Sequence, residues 1–592
     1  MRERTGFFTT YRGALLAALA VCIFLAAKHL IQGAAWIGGD TDDAMRMVEV
    51  RDLLAGQGWF DHFQYRLGLD GGTSMHWSRI VDAPVAALVM FFSLFVSSMQ
   101  AQQYAVFIWP MLMIFPTMIA ISVAAERFGG REAMLPSYFM TAFFIMLFPR
   151  FAPGSIDHHN VQLALVAIMA AGILDRRLET ISFAAAGATG AVAVAVGAET
   201  LPIVAICCAC VALVWAHNGA LARRAATGFA GAFSLSLVFL YFTNIGPSEY
   251  TKVYCDAYSA GFFSIGLIGS ALLWLSAASI SRKSMLARYA ALAGIAVACA
   301  VTAKLIAPEC LEKPYSTLDP LLKSLWLDHV NEAQSIYSMI VNDPFHVTTF
   351  YGTPIVALFA CAWMAWKGPR TVQLFTVSVL VAAPLAVSMY QVRGASFSLM
   401  LCIIPLSLMV ARAREGTHKP NAVLADHLKF IFACLVSLPF VWAFGGYALK
   451  QQFADKTVEA GESGACNTPE AMAALAAQPP GLVASISNIG AHMLLYTDHR
   501  VLTAPYHRNP TGMLAGLRIS TLPPPEAEKV ARKDGVTIIA VCPGDAETRF
   551  LAEKAPDGLL ANLKKDDVPA FLDPVPGTED ASLRLYRLKP HS

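Results

Sequence analysis

The chain has 592 residues, of which 56% are hydrophobic and only 15% charged, and its formal net charge is +2. That little polar surface cannot cover that much apolar surface in water, which excludes a soluble globular protein and marks a polytopic membrane protein. The near-neutral balance also excludes the electrostatic footprint of a nucleic-acid partner.

In chain order, Arg2, Arg4 and Arg12 precede a first apolar span at 13–31. No small-residue cleavage site follows, so the span reads as an uncleaved helix with its N-terminus cytoplasmic. Further runs of membrane length lie at 103–124, 133–149, 159–174, 181–197, 200–216, 225–245, 262–280, 287–304, 352–367, 372–389, 395–412 and 428–447, about thirteen spans in all. The run Ala83–Ser98 is short for a crossing and suits an interfacial or re-entrant helix. If it does not cross, the basic groups Arg127/Arg131, Arg176/Arg177, Arg223/Arg224, Arg282/Lys283/Arg288, Lys367/Arg370 and Arg412/Arg414 all fall on the cytoplasmic face.

The loops 32–102 and 305–351, and everything after Tyr447, are then external. The fold class expected is mainly α: a polytopic helical bundle over 1–447 with a small soluble extracytoplasmic α/β domain over 448–592. In that domain Leu482–Ile486 and Val536–Val541 read as strands, and Pro525–Lys533 and Asp545–Glu553 as helices. Eight of the twelve cysteines fall within spans, whereas Cys255, Cys310, Cys466 and Cys542 are external. An even number on the oxidising side implies two disulfides. Cys255–Cys310 and Cys466–Cys542 is the natural pairing of the three that four cysteines allow.

Three external clusters carry the candidate chemistry. Asp40-Thr41-Asp42-Asp43 opens a helical pattern after the first span. Acids there either cap the helix start or supply a carboxylate that binds a cation or takes an acceptor proton. Asp157-His158-His159 re-enters the membrane. Asp157 and His159 can converge on one ion while His158 points elsewhere, in a donor set that suits Mn²⁺ or Mg²⁺ and also accepts Zn²⁺. Val330-Asn331-Glu332-Ala333-Gln334 lies in the second external loop, with Asp328 as the nearest rival to Glu332. Arg393, at the external junction of two spans, either snorkels to the interface or contacts a lipid phosphate.

Asp42-Asp43-Ala44, Tyr65-Arg66, Gly71-Gly72, His76-Trp77-Ser78-Arg79 and Asp82-Ala83-Pro84 together resemble the first external loop of the oligosaccharyltransferase catalytic subunit. That enzyme is a C-type (GT-C) glycosyltransferase, a class that uses sugars carried on polyprenyl or dolichyl phosphates. Asp157-His158-His159 is similar to an Asp-His-His of archaeal members, where it supplies metal ligands. By this resemblance Asp42, Asp157 and His159 are the metal ligands, Asp42, Asp43 and Glu332 are the catalytic acids, and Arg393 holds the donor phosphate. The similarity covers roughly residues 1–450, and the family's Trp-Trp-Asp acceptor motif is missing from the tail. There Asp498-His499-Arg500 and Ala504–Asn509 stand instead, with His507 and Arg508 as substrate contacts or a solvated loop, and His158 is a third candidate substrate contact.

The function expected is a membrane glycosyltransferase of the bacterial inner membrane. It would move a sugar or glycan from a polyprenyl-phosphate-type donor to a glycan, lipid or protein acceptor of the cell envelope, with a periplasmic active site and a divalent metal. The alternatives are a transporter or flippase of lipid-linked saccharides and a non-catalytic envelope-assembly protein.

Overall fold

The computed structural model describes residues 10–312, 318–342, 344–369, 371–453 and 466–590; Arg2, Arg4 and Arg370 of the charge argument lie outside these ranges. Among the described residues, eight helices are long and apolar enough to cross a membrane, with the stretch 198–244 counted as one. A bent pair, Leu424–Val436 and Pro439–Ala448 at 76° to one another, would be a ninth. The count of about thirteen is therefore not confirmed, because several of the expected runs are short helices. The expected run at 133–149 is a helix of only 14 residues, Met134–Leu147, and His159–Ile173 and Thr180–Val196 are also short. The helix Arg79–Ser93 has 15 residues, below the roughly 20 that a crossing needs. It packs instead along Ser98–Gly129.

The bundle's main apolar core is drawn from the helices between Tyr11 and Val436, with a smaller cluster around Trp215. Its most enclosed element is the stretch Val392–Thr417, whose apolar window is 89% buried, so Arg393 stands at the head of the central helix. The outermost helices, Ala260–Ile280 and Met285–Ile306, keep most of their apolar surface exposed, as lipid-facing helices do.

Residues 466–590 form a five-stranded sheet with helices around it, as expected. The strands are β3 (Leu482–Ala484), β4 (Arg500–Val501), β5 (Val536–Val541), β6 (Leu572–Pro574) and β7 (Arg584–Leu588); the hairpin β1 (Phe63–Gln64) and β2 (Thr73–Ser74) stands apart. The order is β4-β3-β5-β7-β6, parallel on one side of β5 and antiparallel on the other. Both expected disulfides are present, Cys255–Cys310 and Cys466–Cys542.

This unit does not bury its core alone. A second apolar cluster joins Met45, Val48, Leu67 and Trp77 of the first external loop to Ile489, Met493 and Val501. The Val501 N–H donates to Arg66 O at 2.8 Å and the Gly68 N–H to Val501 O at 2.8 Å, so the loop pairs with edge strand β4. Arg66 also donates to Leu494 O and Thr497 O, at 2.9 and 2.8 Å, and Arg51 donates to Leu495 O. Those are free carbonyls at the C-terminal end of the helix Ser487–Tyr496, where cations are favoured. The loop 32–102 and the tail therefore form one body above the bundle.

Candidate active site

The helix Thr41–Leu54 starts at Asp40, whose carboxylate accepts from the Asp42 N–H at 3.2 Å. The capping reading of the acidic run therefore holds for Asp40. Asp43 is buried and accepts from the Asp157 N–H at 2.9 Å, which ties the first loop to the Asp-His-His turn. Gly38 is required beside it, because a Cβ there would meet Asp43 Oδ2 at 2.0 Å. Asp42 is half-buried and turns the other way, accepting from the Tyr506 hydroxyl at 3.0 Å.

Beneath these acids a buried ion network fixes the helix. Arg46, fully buried, donates to Asp82 at 2.8 Å and to Asp157 at 3.4 Å, and its guanidinium lies 4.4 Å from the Trp77 ring centre. Arg79 donates to the other oxygen of Asp82 at 3.1 Å. Buried charges are stable only when paired in this way.

Asp157, His158 and His159 each offer a ligand atom, and the three atoms lie within 4.8 Å of one another. The expectation that His158 points elsewhere is therefore corrected: its Nδ1 is 2.5 Å from Asp157 and its Nε2 3.1 Å from Glu199, because the turn winds into helix at His159. Burial alone would lower the His158 pKa, but Asp157 and Glu199 outweigh it and raise it to about 10. Burial would raise Asp157, yet the two histidines hold it well below the usual carboxylate range. Asp42 and Asp43 are pushed well above theirs by burial and by the charges of Asp40 and Asp157.

A cavity of about 360 Å³ opens between Asp40, Asp43, Asp157, His159 and Arg150. Asp157 Oδ2 is buried there without a hydrogen-bond partner, 3.5 Å from His159 Nδ1. An orphaned carboxylate oxygen beside an imidazole and a crowded, charge-raised carboxyl is the donor set a divalent cation fits. Asp43 lines this cavity and Asp42 does not.

Glu332 accepts from Arg150 and lies 3.4 Å from Arg393 and 3.5 Å from His159. Burial would raise its pKa, but His159, Arg150 and Arg393 hold it far below the usual range. Its rival Asp328 is exposed, and no ion pair of it is seen among the described residues. Arg393 also donates to Glu199 at 3.0 Å. Arg150, Arg393, Glu199, Glu332 and His159 line a cavity of about 230 Å³ whose remaining wall includes Phe148, Phe350 and Phe397.

His507 and Arg508 are partly buried and do not form a solvated loop. Both bind Asp256 in the loop before the helix Ala260–Ile280, at 2.6 to 2.7 Å. His499 is structural, accepting from the Gly481 N–H at 3.1 Å and lying 2.9 Å from Leu475 O.

Sequence reasoning missed Arg46, Arg150, Glu199, Tyr506 and Asp256. Glu199 carried a signal, being an acid between two apolar runs, a position that is costly without a partner. Arg150 and Asp256 carried none, since an isolated charge at a helix end is common.

No family model matches the sequence, and no curated protein does. Solved structures do. The archaeal oligosaccharyltransferase AglB from Archaeoglobus fulgidus, in complex with an inhibitory peptide and a dolichol-phosphate, aligns over 94% of this chain and 72% of its own at a TM-score of 0.62 and 14% identity. The apo form of that organism's oligosaccharyltransferase aligns over the same shares at 0.63 and 13%. Its complex with Zn and sulfate covers 93% of this chain and 70% of its own at 0.60 and 14%. At such identity the likeness establishes a common fold, a helical bundle with an α/β unit.

Proposed function

We propose that this chain is a glycosyltransferase that moves a sugar or glycan from a polyprenyl-phosphate-type lipid donor to an envelope acceptor at the extracytoplasmic membrane face. One observation carries the reading. Four segments distant in sequence bring Asp43, Asp157, His159, Glu332, Arg150 and Arg393 together at one end of an apolar helix bundle. The oligosaccharyltransferase fold supports it by analogy. Charges gathered at helix ends, and not at mid-length, favour transfer over transport.

In this reading the N-terminus is cytoplasmic, the unit after Tyr447 is periplasmic, and the lipid tail lies between helices. Arg150 and Arg393 hold the donor phosphate, taking it where Glu332 now bridges them. The acceptor's nucleophile attacks the anomeric carbon, and the anomeric C–O bond breaks with its electron pair leaving on the phosphate. The nucleophile's proton passes to Asp42 or Asp43. Asp157 and His159, with Asp43, would hold a divalent ion such as Mn²⁺, Mg²⁺ or Zn²⁺, which when bound supplies Lewis-acid stabilisation of developing phosphate charge; Asp42, turned to Tyr506, is not placed to join them. Trp77 and Tyr506 shield the acids from water on the side of the sheet. The missing Trp-Trp-Asp motif removes the reason to assign an Asn-X-Ser/Thr acceptor.

The test is lipid and glycan mass spectrometry on envelopes of cells lacking the protein, complemented by wild type or by Asp42→Ala with Asp157→Ala. A polyprenyl-linked sugar should accumulate and a glycan mass disappear in both the null and the variant. Restoration of the wild-type profile by the variant would sink the reading.

A further inference from the structure

On the far side of Trp77 lies a third cavity, of about 380 Å³, between the first external loop and the loop 245–259. Small-molecule sites span about 300–1,000 Å³. Trp77 is a shared wall: it lines this cavity, while Arg46, His158 and Tyr506 pack around the same ring. The order across the site is Arg393, Glu199, His158, Trp77, cavity.

Its walls are aromatic and, in sum, uncharged. Phe60, Trp77, Tyr254 and Tyr258 line it. Both cations on its rim are paired: Lys252 with Glu249 at 2.7 Å, and Arg508 with Asp256 at 2.6 Å. Asp61 accepts from the Tyr65 hydroxyl and the Phe63 N–H, both at 3.0 Å. Two polar atoms in the walls are different. Asn244 is 6% exposed, its Nδ2 donates to Leu240 O, and its Oδ1 is buried without a partner. His76 Nδ1 is likewise buried and unpartnered. Burial, with His507 and Arg508 nearby, lowers His76 to about 3, so its imidazole is neutral.

Native proteins rarely leave such atoms unpaired, and a ligand supplying both donors and acceptors would satisfy them. Aromatic faces beside orphaned neutral polar atoms, with both lining cations already paired, match a polyhydroxylated ring and not an anion. We propose that this cavity is the acceptor subsite and that the acceptor is a saccharide, one uncharged pyranose ring packing against Phe60, the exposed ring of the wall, and bonding Asn244 Oδ1 and His76 Nδ1. The assignment to the acceptor rests on the transferase reading. The guanidiniums that suit the donor phosphate lie beyond His158, and a nucleophile must reach the anomeric carbon from the other side. Saccharide binding itself does not rest on that reading.

The experiment is saturation-transfer difference NMR on the full chain in lipid nanodiscs free of glycoside detergents. Its probes are the methyl glycosides of glucose, mannose, galactose and N-acetylglucosamine at millimolar concentration. At least one should receive saturation on its ring protons. Asn244→Leu should weaken that glycoside about tenfold, the scale of one lost buried hydrogen bond. Ser74→Trp, at the exposed rim, should abolish the signal without touching the interior. Asp157→Ala should leave it intact. No saturation in wild type, or a signal indifferent to both Asn244→Leu and Ser74→Trp, overturns the subsite while leaving the transferase reading standing. Farnesyl phosphate, which has the phosphate and prenyl chain but no sugar, should not displace the glycoside; displacement moves the cavity to the donor and overturns the acceptor assignment. If the NMR pattern holds while null cells show no glycan change, the saccharide site stands and the transferase reading falls.

Discussion

Replacing Arg46 by methionine should release the helix Thr41–Leu54 from the site. Arg46 is fully buried and is one of two guanidiniums on Asp82, whose carboxylate is equally buried. Methionine keeps the apolar stem but leaves Asp82 with Arg79 alone, at 3.1 Å, and takes a cation from Asp157. Breaking a buried pair by removing one partner costs about 3–5 kcal/mol, and the lost guanidinium–indole contact at 4.4 Å contributes to it. Spread over local opening, that is about two to four decades in exchange rate. The assay is hydrogen–deuterium exchange with mass spectrometry on peptides covering residues 44–50, all buried in wild type. Asp82→Asn added to Arg46→Met should lose further protection, because the buried Arg79 is then left without its carboxylate partner. Exchange in Arg46→Met within threefold of wild type would refute the account of the ion network as the clamp on this helix.

Glu49 gives a pH dependence of unusual sign. Burial, then the charge of Asp82, raises its pKa to about 8, above an unfolded value of about 4.3. The folded state holds a proton that the unfolded state has released between these values, so stability falls as pH rises through that window, by up to about 1.4 kcal/mol per unit. Glu49→Gln should flatten the profile of unfolding temperature from pH 5 to 8; an unchanged slope counts against the burial argument. Cys466→Ser with Cys542→Ser opens a 76-residue separation and should cost about 2–5 kcal/mol, read as a lowered denaturation midpoint under non-reducing conditions. Mn²⁺ at a hundred times its dissociation constant should stabilise wild type by about 2.7 kcal/mol, and Asp157→Asn should lose that shift. Arg393→Lys keeps the charge but not the planar fork, so it should raise the donor KM about tenfold with kcat less affected; an unchanged KM removes Arg393 from the phosphate.

The sequence by itself determined what depends on local composition and periodicity. Apolar runs fixed most of the helices, and short, nearly continuous apolar runs fixed β3 and β5. The even count of external cysteines led to both disulfides. Asp157 and His159 were legible because acids and imidazoles are costly beside apolar spans and so stand out. Lengths were legible less well: hydropathy does not say where a helix stops, so runs such as 133–149 shrank to helices of 14 residues.

Only the tertiary structure decided partners. Asp42 and Asp43 are neighbours in sequence, yet the helical turn sends one to Tyr506 and the other to Asp157. His158 turned inward because helix begins at the next residue. Arg150, 182 positions from Glu332, meets it only through bundle packing, and Asp256 meets Arg508 across 252. Nor did the pattern of the tail reveal that its sheet borrows an edge and a core from the first loop. Ion pairs and shared cores of that kind are set by distance in space, and no local propensity records them.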